Sequence, residues 1–411
     1  MFAYIDPGTG SMLFTILIGV VGAAVYSLRM LFIKLKFRIS GGKGEVDQNK
    51  IPLVIFSDNK RYWQIFEPVC RKLGDRGVKV HYITPSADDP ALSCTFEGFT
   101  SECIEKESKL FSRLLFINAT VLLSTTPGLD VYQWKRAKGI DYYVHIPHAA
   151  SDITLYRMFG LDYYDAVLLS GDYQIEQIRA LEALRGLPQK ELVKVGIPYM
   201  DEMANRLESC GEGETHPTTV LLAPSWGQSA IFSVYGGEIL DKLLETGYHV
   251  IVRPHPQSFD SEKELMEKLM RDYPDSENIE WNRDRDNFDV LRRSDILISD
   301  FSGVIFDFSL VYGKPVIYTD PKFDLSVYDA WWLDEPLWTE CALKRIGKEL
   351  TRESMENIKE VIDRSLEDSD FKDRIAEVKA ETWANFRKGA EVAADYLENK
   401  IKELNNKGKE E

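Results

Sequence analysis

The chain has 411 residues, 44% of them hydrophobic, with 50 Lys and Arg against 66 Asp and Glu and a formal net charge of −16. That length accommodates a membrane element plus two ordinary domains, and the acidic balance argues against general nucleic-acid binding while leaving room for a locally positive site that takes an anionic substrate. Five scattered cysteines without CxxC spacing argue against a disulfide framework or a zinc site and for reduced thiols in a cytosolic compartment.

Residues 1–39 read as an N-terminal membrane anchor. Pro7 to Leu28 carries no charge, and with Leu31-Phe32-Ile33 the apolar run is long enough to cross a hydrocarbon core of roughly 30 Å. Arg29, Lys34, Lys36 and Arg38 follow it, so the positive-inside rule puts the bulk of the chain in the cytoplasm, as a single-pass protein of the cell membrane. A cleaved signal peptide, suggested by Gly22-Ala23-Ala24, lacks a basic n-region; an interfacial helix is a third reading. Residues 40–50 read as a linker.

Residues 51–207 read as a first α/β domain. Strands are expected at Leu53–Ser57, Val78–Ile83, Thr120–Leu123, Tyr142–Ile146, Ala166–Ser170 and Leu192–Val195, with helical patterns at Gln64–Asp75 and Gln174–Leu184. The polar, breaker-rich residues 208–218 connect it to a second α/β domain at 219–349. That domain has expected strands at Thr219–Ala223, His249–Val252, Ile296–Ile298 and from Pro315, and helices at Glu238–Thr246 and Glu262–Asp272. Residues 350–411 read as amphipathic helices. Two parallel, doubly wound Rossmann-type sheets facing a cleft form a GT-B-like architecture, whose ligands lie beyond the carboxyl ends of the strands.

Reactive residues fall where strands end. Ile296-Leu297-Ile298 leads through Ser299 and Asp300 into a helix opened by Ser302 and Gly303, a place where free amides can hold phosphate; Asp307, one turn further in, could accept from ribose hydroxyls. Ser57 and Asp58 follow the first strand. Ser225 and Trp226 follow Ala223, and Arg253 and His255 follow Val252. Arg253 suits phosphate oxygens, Trp226 could stack on a base or pack at an interface, and a histidine suits a general base. His145 ends an apolar run and reads as structural, whereas His148 is open to either role. No HExxH motif or carboxylate cluster supports a metal site, and no G-x-S-x-G elbow supports a serine hydrolase.

Val195-Gly196-Ile197-Pro198-Tyr199-Met200-Asp201, Ala223-Pro224-Ser225-Trp226, Val252-Arg253-Pro254-His255-Pro256 and Ser299-Asp300-Phe301-Ser302-Gly303-Val304-Ile305-Phe306-Asp307 follow His148-Ala149-Ala150 in order. In this the chain resembles the CDP-glycerol glycerophosphotransferases, the teichoic acid primases and polymerases, from about Tyr142 to Tyr318. The resemblance implies a GT-B transferase at the cytoplasmic membrane face, working in cell-envelope synthesis. It would move glycerol phosphate from CDP-glycerol, its substrate, to a hydroxyl of a lipid-linked or polymer acceptor and release CMP, with no cofactor and no nucleic acid. It implies an acid/base role for His148 and phosphate or donor contacts at His255, Asp300, Ser302 and Asp307. The chain departs from the family at Ala149-Ala150-Ser151-Asp152, at Tyr199 and at Gly227, where the family's motifs carry a Gly-Thr-basic sequence, an arginine and an arginine. Two other readings are a GT-B glycosyltransferase or epimerase using a nucleotide sugar, and a non-catalytic protein that binds nucleotide or a partner at the membrane.

Overall fold

The structure, a computed structural model, describes residue 28 and residues 50–211, 216–284, 286–300, 302–319 and 324–410. The apolar span expected as a membrane anchor lies, apart from Leu28, outside the described residues. Among the described residues no helix is long and apolar enough to cross a membrane.

The first sheet has seven strands: β1 (Ile51–Phe56), β2 (Val80–Thr84), β3 (Phe99–Cys103), β4 (Ala119–Ser124), β5 (Ile140–His145), β6 (Ala166–Leu169) and β7 (Glu191–Lys194), in the order 3-2-1-4-5-6-7. The second has six: β8 (Thr219–Ala223), β9 (His249–Val252), β10 (Ile279–Trp281), β11 (Ile296–Ser299), β12 (Val316–Tyr318) and β13 (Gly347–Glu349), in the order 10-9-8-11-12-13. All pairings are parallel; Ile55 pairs with Tyr82 on one side and Leu123 on the other, and Ile298 with Leu222 and Ile317. Parallel strands need crossovers that cover both faces, so the central strands are apolar on both sides. Every residue of β4, β8 and β11 is buried.

The edges explain what the sequence hid. β3 (Phe-Thr-Ser-Glu-Cys) and β13 (Gly-Lys-Glu) are polar and partly exposed, and β10 is only three residues long. An edge strand pairs on one side only and carries little apolar signal.

The order of strands reverses between β1 and β4 in the first sheet and between β8 and β11 in the second. At each reversal neighbouring crossovers depart to opposite faces and leave a crevice beyond the strand ends. Each crevice is stitched in the same way. Ser124 Oγ donates to the Phe56 carbonyl at 2.7 Å, and Ser299 Oγ donates to the Ala223 carbonyl at 2.6 Å.

The chain does not end with the second domain. After the helices Ile358–Leu366 and Phe371–Thr382 it crosses back, and the last helix, Gly389–Glu410, packs on the first domain. Ala393, Ala394, Leu397 and Ile401 share a buried core with Phe66 and Leu73 of the helix Trp63–Asp75. The crossing runs hard against Gly196, which has a φ of +88°; a Cβ there would lie 2.0 Å from the Ala384 carbonyl oxygen. Only glycine meets both conditions. Asp201, one turn into the helix Pro198–Ser209, is buried and accepts from Trp383 Nε1 at 2.8 Å and from the backbone amides of Arg387 at 2.7 Å and Gly389 at 2.8 Å. The Gly196–Asp201 stretch is therefore a dock for the returning chain.

Two further buried carboxylates tie the halves together. Asp152 accepts from the amides of Trp338 and Thr339 at 2.7 and 2.8 Å, capping the helix Trp338–Ile346. Asp329 pairs with Arg185 at 2.5 Å, and Arg185 also holds Asp162 at 2.7 Å.

Replacing Asp201 strands three donors in the interior. Asp201→Ala is expected to cost about 1.5–3 kcal/mol in urea unfolding and to open residues 384–388 to limited proteolysis, whereas Trp383→Phe, which removes one donor, costs about 1 kcal/mol. Equal losses from both would show that the carboxylate does not organise the dock.

Candidate active site

The two crevices face each other. From the first domain come the loop after β1, with Asp58, Arg61 and Tyr62, and the loop after β5, with His148 and Ala149. From the second come the loop after β8, with Ser225 and Trp226, the loop after β9, with His255, and the loop after β11, with Ser302 and Gly303. They meet at Gly303, where a Cβ would lie 3.5 Å from the Ala149 Cβ, ordinary van der Waals contact.

His148 packs its ring 5.0 Å from that of Tyr62 and 6.1 Å from that of Tyr156. Its Nδ1 is buried without a hydrogen-bond partner among the described residues. Burial, and then the positive charge of Arg61, push its pKa down to about 4, so the imidazole is neutral at physiological pH. His145 is wholly buried, packed against Tyr156 and Tyr164, with Nε2 3.1 Å from the Tyr156 hydroxyl. It supports the wall behind His148, in agreement with its reading as structural.

His255 is half-buried. Its Nδ1 accepts from the Gln257 amide at 3.1 Å, which leaves the proton of the neutral ring on Nε2. Its pKa is lowered by burial and then by Arg61, the same cation that His148 senses from the other domain. Arg253 is turned sideways. One guanidinium nitrogen bonds the Asn282 side chain and the other the Asp284 carbonyl at 2.8 Å, so the group braces the loop after β10.

Asp300 is fully buried beneath the loop after β8. Its oxygens accept from the Ser225 amide at 3.1 and 3.0 Å and from the Ile231 amide at 3.2 Å. It thus shapes the loop that presents Trp226, whose side chain is 47% exposed and free to stack on a ring. Gly227, with a φ of +98°, turns the chain there, and its amide donates to Glu262 at 3.0 Å. Ser302 and Gly303 stand at the mouth of a helix that is α over Val304–Phe306 and π over Asp307–Val311. Asp307 lies at the change and faces the first domain, where Tyr199 donates to its Oδ1 at 2.6 Å. Burial pushes its pKa up to about 6. Its Oδ1 is thus engaged by Tyr199 across the domain interface, at the position where the sequence suggested an acceptor for ribose hydroxyls.

His148, His255, Ser302, Gly303, Ser225 and Trp226 are thus brought to one cleft, while Arg253, Asp300 and Asp307 are engaged by protein partners around it. The sequence reading passed over Arg61 and Tyr62, and it marked Tyr199 only as a departure from the family's arginine. Arg61 follows an expected strand, but only the sheet order shows that strand to be central.

Two parallel-sheet Rossmann-like domains enclosing such a cleft define a GT-B-like fold. Residues 161–334, less than half of the chain, match the model of the family described as CDP-glycerol:poly(glycerophosphate) glycerophosphotransferase, so the resemblance drawn from the motifs holds over that segment, and the family it names is one of transferases. The match takes in the second domain's cleft residues; Arg61 and His148 lie before it. Among solved structures the chain is similar to the wall teichoic acid polymerase TagF, at 13% identity and a TM-score of 0.55, over 92% of this chain and 98% of that one. It is similar as well to UDP-GlcNAc 2-epimerases. That from Neisseria meningitidis bound to UDP-GlcNAc is 12% identical with a TM-score of 0.53, over 85% of this chain and 100% of that one. That from Methanocaldococcus jannaschii in complex with UDP-GlcNAc and UDP is 11% identical with a TM-score of 0.56, over 84% and 99%. These likenesses show the fold. No curated protein matches the chain.

Asp307 gives the fold a pH signature. Its folded pKa is about 6 against an ordinary value of 3.8. The folded state therefore keeps a proton that the unfolded chain releases, and stability is lost as pH rises from about 4 to 6, by at most about 3 kcal/mol. Asp307→Asn cannot ionise. Its melting temperature relative to the unaltered protein should improve steadily from pH 4 to pH 7; a constant difference would mean that Asp307 ionises normally in the fold.

Proposed function

We propose that this chain transfers glycerol phosphate, or a related polyol phosphate, from a CDP-linked donor to a hydroxyl acceptor in cell-envelope polymer synthesis. The observation that carries the reading is the approach of the His148 loop to the Ser302-Gly303 turn across the domain interface, in a chain whose residues 161–334 match the glycerophosphotransferase family.

The chemistry follows from the groups present. Neutral His148 takes the proton of the acceptor hydroxyl as its oxygen attacks the phosphorus that bears the polyol. A new acceptor O–P bond forms, and the bond from that phosphorus to the oxygen of the CMP phosphate breaks. The electron pair leaves with CMP. His255, with its proton on Nε2, donates to a phosphate oxygen, and the amides near Ser302 and Gly303 add to the stabilisation of the leaving charge. Trp226 offers a face for the base. Ser225 holds the loop through its amide.

Membrane attachment belongs to the same reading. It is supported by the uncharged run from Pro7 to Leu28 and the basic residues after it, which suit an acceptor carried on lipid. The catalytic domains would then stand on the cytoplasmic side.

A nucleotide panel tests the donor. A ligand at 100 times its dissociation constant adds roughly 2.7 kcal/mol of stability. CDP and CMP should stabilise the chain more than UDP, and turnover should release CMP. Preference for UDP with release of a nucleoside diphosphate would favour a nucleotide-sugar enzyme, and absence of donor-dependent turnover a binding protein. His148→Ala should lower turnover by about 100- to 10,000-fold with little change in donor affinity, whereas His255→Ala should weaken donor binding by about 10- to 150-fold. The full chain should sediment with membranes and resist salt extraction, and a chain lacking the first 40 residues should not.

A further inference from the structure

We propose that Arg61 is an anion-binding residue of the cleft, which grips a phosphate of the nucleotide-linked donor from the first domain while His255 contacts the same diphosphate from the second. The inference rests on the donor reading above and names the residue that supplies the positive charge.

Arg61 lies in the loop after β1, beside β4, where the strand order of the first sheet reverses. Crevices at such points take ligands beyond the strand ends. The loop is rigid at its base. Residues Lys60–Tyr62 form a 3-10 turn capped by Asn59, whose Oδ1 accepts from the Arg61 amide at 3.1 Å. The backbone is thus fixed while the side chain stays exposed.

The guanidinium lies over the Tyr62 ring, 5.1 Å from its centroid, and that ring lies 5.0 Å from the His148 ring. Arg61, Tyr62 and His148 therefore form a continuous wall on the first-domain side. The charge of Arg61 also reaches His255 of the second domain, so both histidines lie within its electrostatic range. Asp58 is near enough to feel that charge. No salt bridge engages Arg61 among the described residues, whereas the adjacent Lys60 is paired with Asp88.

Electrostatics then select the ligand. The cleft gathers a guanidinium, two neutral imidazoles and exposed backbone near Gly303. Arg253, the cation after β9, spends donors on Asn282 and Asp284. A diphosphate placed here needs a permanent positive charge, and the planar fork of an arginine matches two phosphate oxygens better than a point charge does. Neutralising Arg61 with a bound anion also removes the repulsion that helps to hold both histidines unprotonated, so donor binding makes His148 a better proton acceptor.

The test uses the full chain with Arg61→Ala and Arg61→Lys, and CDP, UDP, cytidine and inorganic pyrophosphate as probes in calorimetric titration. Loss of a charge-assisted contact predicts about 10- to 150-fold weaker binding of CDP and pyrophosphate to Arg61→Ala, unchanged binding of cytidine and partial recovery in Arg61→Lys. In the same variant the NMR titration of His148 should move to higher pH. If UDP proves the preferred nucleotide, the donor reading falls, and a matching loss of UDP and pyrophosphate affinity in Arg61→Ala still supports this residue. Unchanged affinity of Arg61→Ala for pyrophosphate and for the preferred nucleotide, at an unchanged melting temperature, overturns the inference. So does a chain that binds neither pyrophosphate nor either nucleotide.

Discussion

Everything in the cleft depends on parallel pairing at two central strand pairs, β1 with β4 and β8 with β11. Parallel neighbours end on the same side, so all their carboxyl ends point one way. The reversal of strand order at those pairs leaves each sheet with one crevice that no crossover fills. The serines at the ends of β4 and β11 donate to the carbonyl groups ending β1 and β8. Each bond fixes the last residues of a strand before its loop departs. The loops then deliver Arg61 and His148 on one side, and Trp226, His255 and Gly303 on the other.

Placing two such sheets face to face requires buried polar contacts, and here carboxylates serve. Asp152, Asp201 and Asp300 are each buried, and each accepts from two or more backbone amides. A charge is tolerable in the interior only when such donors surround it. Asp300 shapes one loop, Asp152 caps a helix across the interface, and Asp201 catches the returning chain. Asp307 differs. Among the described residues it has one donor, Tyr199, and burial outweighs that bond and raises its pKa. The local π-turn at the same residue marks where helical regularity yields to this contact.

The central strands were legible because burial on both faces writes unbroken aliphatic runs such as Leu53–Phe56 and Ile296–Ile298. The edges β3, β10 and β13 were not, because one-sided pairing imposes almost no pattern on three to five residues. In the site, histidines and Ser-Gly turns at strand ends could be read directly. Arg61 could not, since an arginine in a polar loop looks like any solvated cation until the pairing of β1 with β4 puts it at a crevice. The direction of a carboxylate was equally hidden. Asp300 and Asp307 sit beside the turn that suggested phosphate contacts, and the fold engages both with protein donors. Arg253 sits next to His255, but its guanidinium turns toward Asn282. Which way each points depends on partners 29 to 108 positions distant, from Asn282 for Arg253 to Tyr199 for Asp307.

The return of the last helix onto the first domain has a consequence for how the chain acquires its structure. Arg76 meets Asp395, and Thr120 meets Asn405, across separations of 319 and 285 residues. A ribosome makes the first sheet before the second domain, but the helix that seals Phe66 and Leu73 is made only after that domain. Until then one face of that sheet is open apolar surface, and closing it requires long-range contacts that form slowly. The second domain is bracketed by the first in sequence and can mature while its neighbour waits. The half of the cleft that carries His148 therefore becomes rigid only once residues 389–410 have been made and docked.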